Sequence, residues 1–379
     1  MTNTTVPAEL VSDQVFGRRN HFDNGAHNVS QRRTSKTGIA AGTNGVFTVD
    51  RYRLEHGTHS GQIRMDQTAD APAGFRYCQK IQCTTADTSV AAGEYIVYQQ
   101  IIESQNLHRF LKGTSDAKTF MVSFYVKGNA SATYTMEMYD IDNTRQVSKT
   151  FSVTTSWTRV EIEFPADTTG AFDNNTGGGL AVQIWLHAGS EYTGGTLSET
   201  WTSVTAANRA SSSNSSILAS TSNIFYTTGW QLELSDNGKA TPFEHLTYAE
   251  DLAICQRYCV VPCFEGQANT AAGQVQICMG SYYTDTQVEG VVHFPAQMRE
   301  TPSLEVTSGT NYFVAENDSA SHGFNAWSGV YGNGTLQKLI YSSGQVADSN
   351  HQGHATRLVA AHASAAVIFD ADLPCTGKE

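Results

Sequence analysis

Residues 225–258 read FYTTGWQLELSDNGKATPFEHLTYAEDLAICQRY, and this stretch contains the clearest structural boundary in the chain. Trp230, Leu232 and Leu234 alternate with Gln231 and Glu233. This alternation predicts a strand that buries its apolar side chains and exposes its polar ones. The SDNG segment that follows is typical of a turn, because Asp and Asn bond their own backbone and Gly accepts positive φ. The strand should therefore end one β domain.

A helix signal comes after this turn. Thr247 and Glu250 have the spacing of a capping box, in which the hydroxyl bonds an amide of the first turn and the carboxylate reaches back. We expect a helix of about three turns with Ala249, Leu252, Ala253 and Tyr258 on its packed face. This helix would connect the first β domain to a second region.

Length and composition favour two β domains. The 379 residues exceed what one hydrophobic core usually supports. Only 16% of the residues are charged and 10% are aromatic, which suits short strands joined by polar turns.

Four segments place apolar side chains at alternate positions, which predicts strands with one buried face. Such strands bury that face by pairing two sheets, as in a sandwich or jelly roll. They are FMVSFYVKG (120–128), TYTMEMYDI (133–141), WTRVEIEF (157–164) and LAVQIWLHAG (180–189). Shorter strand candidates lie at residues 274–278, 288–294, 303–306 and 365–370.

We therefore predict an all-β protein with a jelly-roll-like β-sandwich, a short connecting helix and a second, smaller β-sandwich domain. The predicted boundaries are an N-terminal arm at residues 1–20, the first sandwich at 21–245, the helix at 246–260 and the second sandwich at 261–379.

Charge and hydropathy argue against two kinds of partner, nucleic acid and the membrane. Asp and Glu outnumber Lys and Arg by 36 to 24, so the net charge of −12 argues against nucleic-acid binding. No apolar run is long enough to cross a bilayer, and the N-terminal MTNTTVPAEL lacks the apolar core of a signal peptide. We predict neither membrane insertion nor secretion through that route.

The first forty residues are locally basic. Arg18, Arg19, Arg32 and Arg33 favour docking onto an acidic neighbour in an assembly. The alternative to docking, with at least equal weight, is that these arginines lie on a solvated segment.

Motifs for catalysis or cofactor binding are absent from the sequence, including HExxH, GxSxG, a phosphate-binding glycine loop and a dinucleotide fingerprint. The seven cysteines cannot all pair within the chain. Cys255, Cys259 and Cys263 are interpreted as small buried residues, because zinc sites usually combine close Cys pairs with further Cys or His. We predict no catalytic residue, no metal site and no cofactor.

Two loops are candidates for ligand binding. Residues 189–222 carry Tyr192 and Trp201 among many hydroxyls and amides, and an exposed ring with such neighbours can grip a sugar. Residues 321–335, SHGFNAWSGVYGNGT, carry Phe324, Trp327 and Tyr331. These five residues are the predicted glycan contacts. A satellite core beneath the first loop is the alternative for its two rings.

Several further segments occur in a fixed order. Early ones are FDNGAHNVSQR (22–32), VDRYR (49–53), APAGFRYCQKIQ (71–82) and GEYIVYQQIIESQNLHRFLKG (93–113). Later ones are TGWQLELSDNGKATPFEHLTYAEDLAICQRY (228–258), FPAQMRETPSLEV (294–306) and VIFDADL (367–373). In this series the chain resembles a widespread family of bacteriophage tail fibre or virion structural proteins with a carbohydrate-binding-like sandwich.

The resemblance implies a structural role in the particle, often as a trimer, and it carries over no catalytic residues. We predict a non-enzymatic virion protein, made in the host cytoplasm, that acts as a tail fibre or receptor-binding component. Its expected partners are other virion proteins, copies of itself and host surface glycan. A capsid decoration or head-fibre protein is the alternative, and a capsule depolymerase is the less favoured one.

Overall fold

The structure is a computed structural model that describes residues 18–43, 45–235, 238–268, 274–317, 321–331, 334–343, 346 and 352–373. The chain divides into two compact units. Among the described residues, the first unit takes in those before Gln31, then Thr34–Tyr248 and Leu373. The second unit takes in Gln31–Arg33 and Ala249–Asp372. Most of the predicted N-terminal arm, and two residues of the predicted SDNG turn, lie outside the described residues.

The first unit contains the following strands: β1 (Ser35–Ile39), β2 (Val46–Val49), β3 (Tyr52–His56), β4 (Gln62–Thr68), β5 (Cys78–Thr85), β6 (Tyr95–Glu103), β7 (Thr119–Gly128), β8 (Ala132–Asp140), β9 (Arg145–Val153), β10 (Thr158–Phe164), β11 (Gly178–Ala188), β12 (Thr202–Ser203) and β13 (Ile224–Ser235). Its helical segments are α1 (Ser190–Thr193) and the 3-10 turns Ser104–Asn106, His108–Phe110, Ala206–Asn208 and Ile217–Ala219.

These strands form two sheets that share one core. The first sheet has the order β1-β4-β5-β13-β7-β10, and the second has the order β12-β9-β8-β11-β6-β3-β2. Trp230 of β13 shows how they pack, because its ring lies 5.3 Å from Phe124 in its own sheet and 5.3 Å from Tyr52 in the other. The four strands predicted from alternation are all present. The predicted jelly-roll-like sandwich is confirmed.

Strand β13 lies at the centre of the first sheet, between β5 and β7. Trp230 and Leu232 are fully buried, as predicted. The prediction that Gln231 and Glu233 face solvent is wrong, because their exposure is only 0% and 1%. A later segment of the chain covers this second face of the strand and supplies hydrogen bonds to both side chains.

The connecting helix is α2 (Tyr248–Gln256). Its predicted packed face is wrong at Ala249 and Ala253, which are exposed, and Leu252 is only half-buried. Tyr258 is buried as predicted, two residues after the helix ends. Asp251 and Cys255 are the buried positions, and their spacing of four residues puts them on one helix face.

The cysteines of the described residues are buried, as the interpretation as small core residues predicts. Six lie in the described part of the chain, none of them in a disulfide: Cys78, Cys83, Cys255, Cys259, Cys263 and Cys278. Burial raises the pKa of the Cys78 and Cys278 thiols to about 12. These thiols are therefore protonated and poorly nucleophilic at neutral pH.

The second unit is also built from antiparallel strands. They are β14 (Cys259–Cys263), β15 (Val275–Thr284), β16 (Gln287–His293), β17 (Ser303–Thr307), β18 (Phe313–Glu316), β19 (Ser321–Phe324), β20 (Ala326–Tyr331), β21 (Gln337–Ser343), β22 (Ala355–Ala360) and β23 (Ala366–Asp370). They form sheets with the orders β14-β23-β17 and β19-β18-β22-β15-β16-β21-β20. One apolar cluster joins side chains from both sheets, including Phe313, Ile340 and Phe369.

No helix in the described part of the chain has both the length and the apolar character that a membrane span requires.

Candidate functional site

The segment 241–244 forms a corner that is fixed on β13 by the two buried polar side chains. Glu233 accepts hydrogen bonds from the Thr241 amide at 2.8 Å and the Thr241 hydroxyl at 2.6 Å. Gln231 accepts one from the Glu244 amide at 2.7 Å and donates one to Thr241 Oγ1 at 3.0 Å. Buried polar groups with partners on both sides hold a backbone firmly. The corner therefore has one defined position over the strand.

Glu244 extends this network to the first described residues of the chain. Its Oε2 accepts the backbone amides of Arg19 at 2.9 Å and Asn20 at 2.8 Å. The Asn20 side chain also donates to the Trp230 carbonyl at 2.9 Å. The corner is thus held by strand β13 and by the N-terminal segment together.

Aromatic rings meet where the corner ends. The Phe243 and His245 rings lie 4.9 Å and 5.1 Å from the ring of Phe75, which belongs to the loop between β4 and β5. Tyr125 of β7 approaches the same Phe75 ring at 5.2 Å.

Gly229 makes this approach possible. Its φ is +66°, a value that other residues adopt only with strain. A Cβ built there would lie 2.8 Å from the Phe75 ring and 2.9 Å from the Tyr125 ring. The pairing of β13 with β7 shifts its register between Thr228 and Gln231, on either side of this glycine. Gly229 therefore serves both this irregularity and the contact between the two rings.

A cleft of about 200 Å³ opens beside these rings. Tyr248 is 57% exposed, Phe75 and Tyr77 are half-buried, and the exposed Arg76 guanidinium carbon lies 4.9 Å above the Tyr77 ring. We call this feature the aromatic cleft, lined by Ala26, Asn28, Gly74, Phe75, Arg76, Tyr77, His245 and Tyr248.

The aromatic cleft offers the chemistry that an amphipathic ring requires. Aromatic faces pack against the C–H face of a sugar, while amide, guanidinium and imidazole groups can bond its hydroxyls. Within the described residues, no group of three or more His, Cys, Asp or Glu side chains is arranged to hold a metal ion. The geometry is suited to binding a small polar ring.

A second cation with aromatic neighbours lies on strand β7 of the first sheet. Lys127 Nζ lies 5.3 Å above the Trp157 ring and 4.6 Å above the Tyr226 ring, and it forms an ion pair with Asp70 at 2.7 Å. Burial, together with the charge of Asp70, raises the pKa of Tyr226. The charge of Lys127 is therefore already compensated within the protein.

The predicted rings of loop 189–222 belong to the interior. Trp201 is 9% exposed, and its indole N–H donates to the Pro165 carbonyl at 2.8 Å. The expectation of an exposed Trp201 is wrong. Tyr192 is half-buried, with its ring 5.0 Å from Trp185 in a small cluster beneath the loop. This arrangement matches the satellite core that was the alternative for the loop.

The rings predicted in the second unit are buried as well. Phe324 is 1% exposed and Trp327 is 4% exposed, and their rings pack 4.8 Å apart against Phe313. The expectation that they face a ligand is wrong, because both rings fill the core. Tyr331 ends strand β20, and its side chain lies outside the described residues.

Three of the arginines predicted to dock onto a partner form ion pairs within the chain. Arg18 pairs with Asp23 at 3.0 Å, and Arg19 lies 3.9 Å from Glu244. Arg32 is buried and pairs with Asp370 at 2.8 Å. Arg33 is half-buried. Docking of this segment onto a virion partner stays a prediction, with most of its charge already compensated.

A hydrogen-bonded serine–histidine–glutamate chain bears on the question of catalysis. Ser216 Oγ donates to His187 Nδ1 at 2.7 Å, and His187 Nε2 donates to Glu94 Oε2 at 3.1 Å. Ser216 Oγ also accepts the Leu218 amide at 3.1 Å and so caps the 3-10 turn Ile217–Ala219. His187 has no exposed surface. These contacts give the three side chains a structural role in holding the loop.

Sequence reasoning missed the aromatic cleft. Phe75, Arg76 and Tyr77 stand in the segment PAGFRY, where two rings and a cation follow a Pro and a Gly. Aromatic side chains in such a short turn are a usable signal, since loops carry function more often than strands do. His245 and Tyr248 are about 170 residues away in sequence, and no local pattern connects them to that turn.

No family model matches the chain, and no curated protein matches it. Several solved structures give weak matches. A family 4 carbohydrate-binding module is 13% identical and aligns over 56% of this chain and 99% of its own, with a TM-score of 0.30. A family 11 module of a Clostridium thermocellum cellulase is 12% identical over 53% and 95%, with a TM-score of 0.27.

A tandem pair of family 22 modules from Paenibacillus barcinonensis Xyn10C is 11% identical over 91% of this chain and 98% of its own, with a TM-score of 0.27. At these TM-scores the matches carry no conclusion about this chain. The fold is therefore defined by the strand order of the sheets, and the candidate site by the geometry of the aromatic cleft.

Proposed function

We propose that this protein is a non-enzymatic structural component of a bacteriophage virion, a tail fibre or receptor-binding protein that contacts host surface glycan. The aromatic cleft is the observation that supports glycan binding. It combines partly exposed rings with an amide, a guanidinium and an imidazole in one small cleft. The ordered series of resembling segments supports the virion role.

Affinity in such a protein would come from several weak sites. A cleft of this size covers one or two sugar rings, so a single copy would bind weakly. A symmetric trimer presents three clefts and raises the effective concentration for the second and third contacts. A trimeric mass by light scattering supports this part of the proposal, and a monomeric mass opposes it.

Replacing Tyr248 with Ala tests the site. The substitution removes an exposed aromatic ring of the cleft, and we expect about a tenfold loss of affinity for host surface polysaccharide. Tyr283→Ala is the matched control, because Tyr283 is similarly exposed, at 61%, but belongs to the second unit. Binding measured by titration calorimetry should fall only for the Tyr248 variant. Equal binding by wild type and Tyr248→Ala would place the ligand elsewhere.

Two measurements decide between the proposed role and its alternatives. Antibody labelling of particles in the electron microscope should mark the tail, whereas label on the capsid would favour a decoration or head-fibre protein. Host polysaccharide incubated with the protein should keep its chain length. Shortened oligosaccharides would favour a depolymerase.

A further inference from the structure

Arg76 is the only charged side chain among the residues that line the aromatic cleft, histidine being counted as neutral. It is exposed, and it forms no ion pair with any carboxylate in the described part of the chain. Among the described residues that line the cleft, none is Asp or Glu. The cleft is therefore a locally cationic site on a protein whose net charge is −12.

Three other cations of the first unit, by contrast, are compensated by carboxylates. Lys127 pairs with Asp70 at 2.7 Å, Arg64 with Asp66 at 2.8 Å, and Arg159 Nη1 lies 3.1 Å from Glu161. Arg76 instead stacks on Tyr77. A guanidinium that lies over a ring keeps its N–H groups available at its edge, where they match the two oxygens of a carboxylate.

A second polar group of the cleft is also available. The side-chain amide of Asn28 has no hydrogen-bond partner among the described residues, and Asn28 is half-buried in the lining. An amide can donate to one sugar hydroxyl and accept from another. The cleft thus combines ring stacking, one amide and one uncompensated guanidinium.

We infer that the aromatic cleft selects a sugar that carries a carboxylate, such as a uronic acid. The sugar ring stacks on the exposed aromatic side chains, and the Arg76 guanidinium binds the carboxylate through its N–H edge. This inference rests on the proposed glycan binding and deepens it, because it names the class of sugar.

The test compares two probes that differ only at C6 of each sugar, which is a carboxylate in one and a hydroxymethyl group in the other. Oligogalacturonate and the neutral oligogalactose obtained from it by carboxyl reduction are titrated into the full chain by calorimetry at low salt. We expect the acidic form to bind about tenfold more tightly, since hydrogen bonds to charged groups are stronger than those between neutral groups. Added salt should weaken binding of the acidic probe and leave binding of the neutral probe unchanged.

Variants assign the preference to Arg76. Arg76→Gln keeps a polar side chain without charge. It should lower the affinity for the acidic probe to the affinity measured for the neutral probe. Arg76→Lys keeps the charge without the planar fork, and it should restore only part of the preference. Arg357→Gln is the control, because Arg357 is an exposed arginine of the second unit, 51% exposed and paired with Glu316.

Several outcomes overturn the inference. Equal binding of the two probes, equal losses for both in Arg76→Gln, or equal binding of poly-glutamate would each contradict selection of an acidic sugar. Binding to host polysaccharide without binding to either probe would leave the proposed function standing and remove this inference. Loss of all glycan binding by the wild-type protein would remove both.

Discussion

Gly229 couples the shape of a strand to the shape of the aromatic cleft. Replacing it with Ala imposes strain at φ +66° and drives a methyl group into the Phe75 and Tyr125 rings. We expect a loss of about 2–3 kcal/mol in the free energy of unfolding, together with weaker ligand binding. Urea unfolding of the full chain measures the first quantity.

Gly38→Ala separates strain from collision. Gly38 has a φ of +65°, and a Cβ there meets no atom within 4 Å. It should cost only about 1 kcal/mol and leave binding unchanged. Equal losses in the two variants would mean that the rings move aside at no cost.

His27 makes stability depend on pH. It is fully buried, and its pKa is lowered from 6.5 to about 3, chiefly by the loss of solvation. Below pH 6.5 the unfolded chain therefore binds a proton that the folded chain does not. Stability should fall as the pH drops from 6.5 towards 3, at a rate of about 1.4 kcal/mol per pH unit for this histidine.

His27→Gln removes that titration. His21, whose pKa is lowered to about 4 by burial, still contributes to the slope in the variant. Urea unfolding at several pH values should give a slope smaller by about one proton than in the wild type. An unchanged slope would show that His27 becomes protonated without unfolding.

At the scale of the elements, the corner 241–244 is tied to strand β13 through Glu233. In Glu233→Gln only one oxygen remains to accept the two donors of Thr241, so one of them loses its partner. We expect faster amide hydrogen exchange in residues 241–245 and weaker ligand binding, while β13 stays protected. Glu199→Gln is the control, because Glu199 is an exposed glutamate of the loop 189–222. Unchanged exchange at the corner would mean that its backbone is held by other contacts.

Local patterns predict the elements and miss the contacts between them. Alternation located β7, β8, β10 and β11, because a strand with one buried face records its environment in its own residues. The burial of Gln231 and Glu233 has no such record, since their partners are supplied by a corner about ten residues later. The same limit explains why the burial of Trp201 and Trp327 is not predicted, since the sequence around each of them is typical of an exposed loop. The aromatic cleft combines residues from three distant segments, so no single window of sequence contains it.

At the scale of the whole molecule, Arg32 contributes to the second unit although it lies early in the sequence. Its side chain is 5% exposed and pairs with Asp370 of β23 at 2.8 Å. Arg32→Ala would leave that carboxylate without its cation, and we expect a loss of about 3 kcal/mol in the stability of the second unit. Amide hydrogen exchange in β14 and β23 reports this loss directly.

The exposed pair of Arg357 and Glu316 provides the comparison for Arg32. Arg357→Ala should cost at most about 1 kcal/mol, because its guanidinium remains in contact with water. Similar losses in the two variants would argue that the Arg32 pair acts as a surface contact, which would revive the role of Arg32 in docking.

The first unit is discontinuous in sequence, because Leu373 belongs to it while residues 249–372 do not. The carbonyl of Leu373 accepts a hydrogen bond from the buried guanidinium of Arg53, 320 residues earlier. During synthesis this bond cannot form until the ribosome has passed residue 373, by which time the strands of both units have been made. This contact within the earlier unit therefore waits for translation of the later one, and a prematurely terminated chain would keep Arg53 without this acceptor.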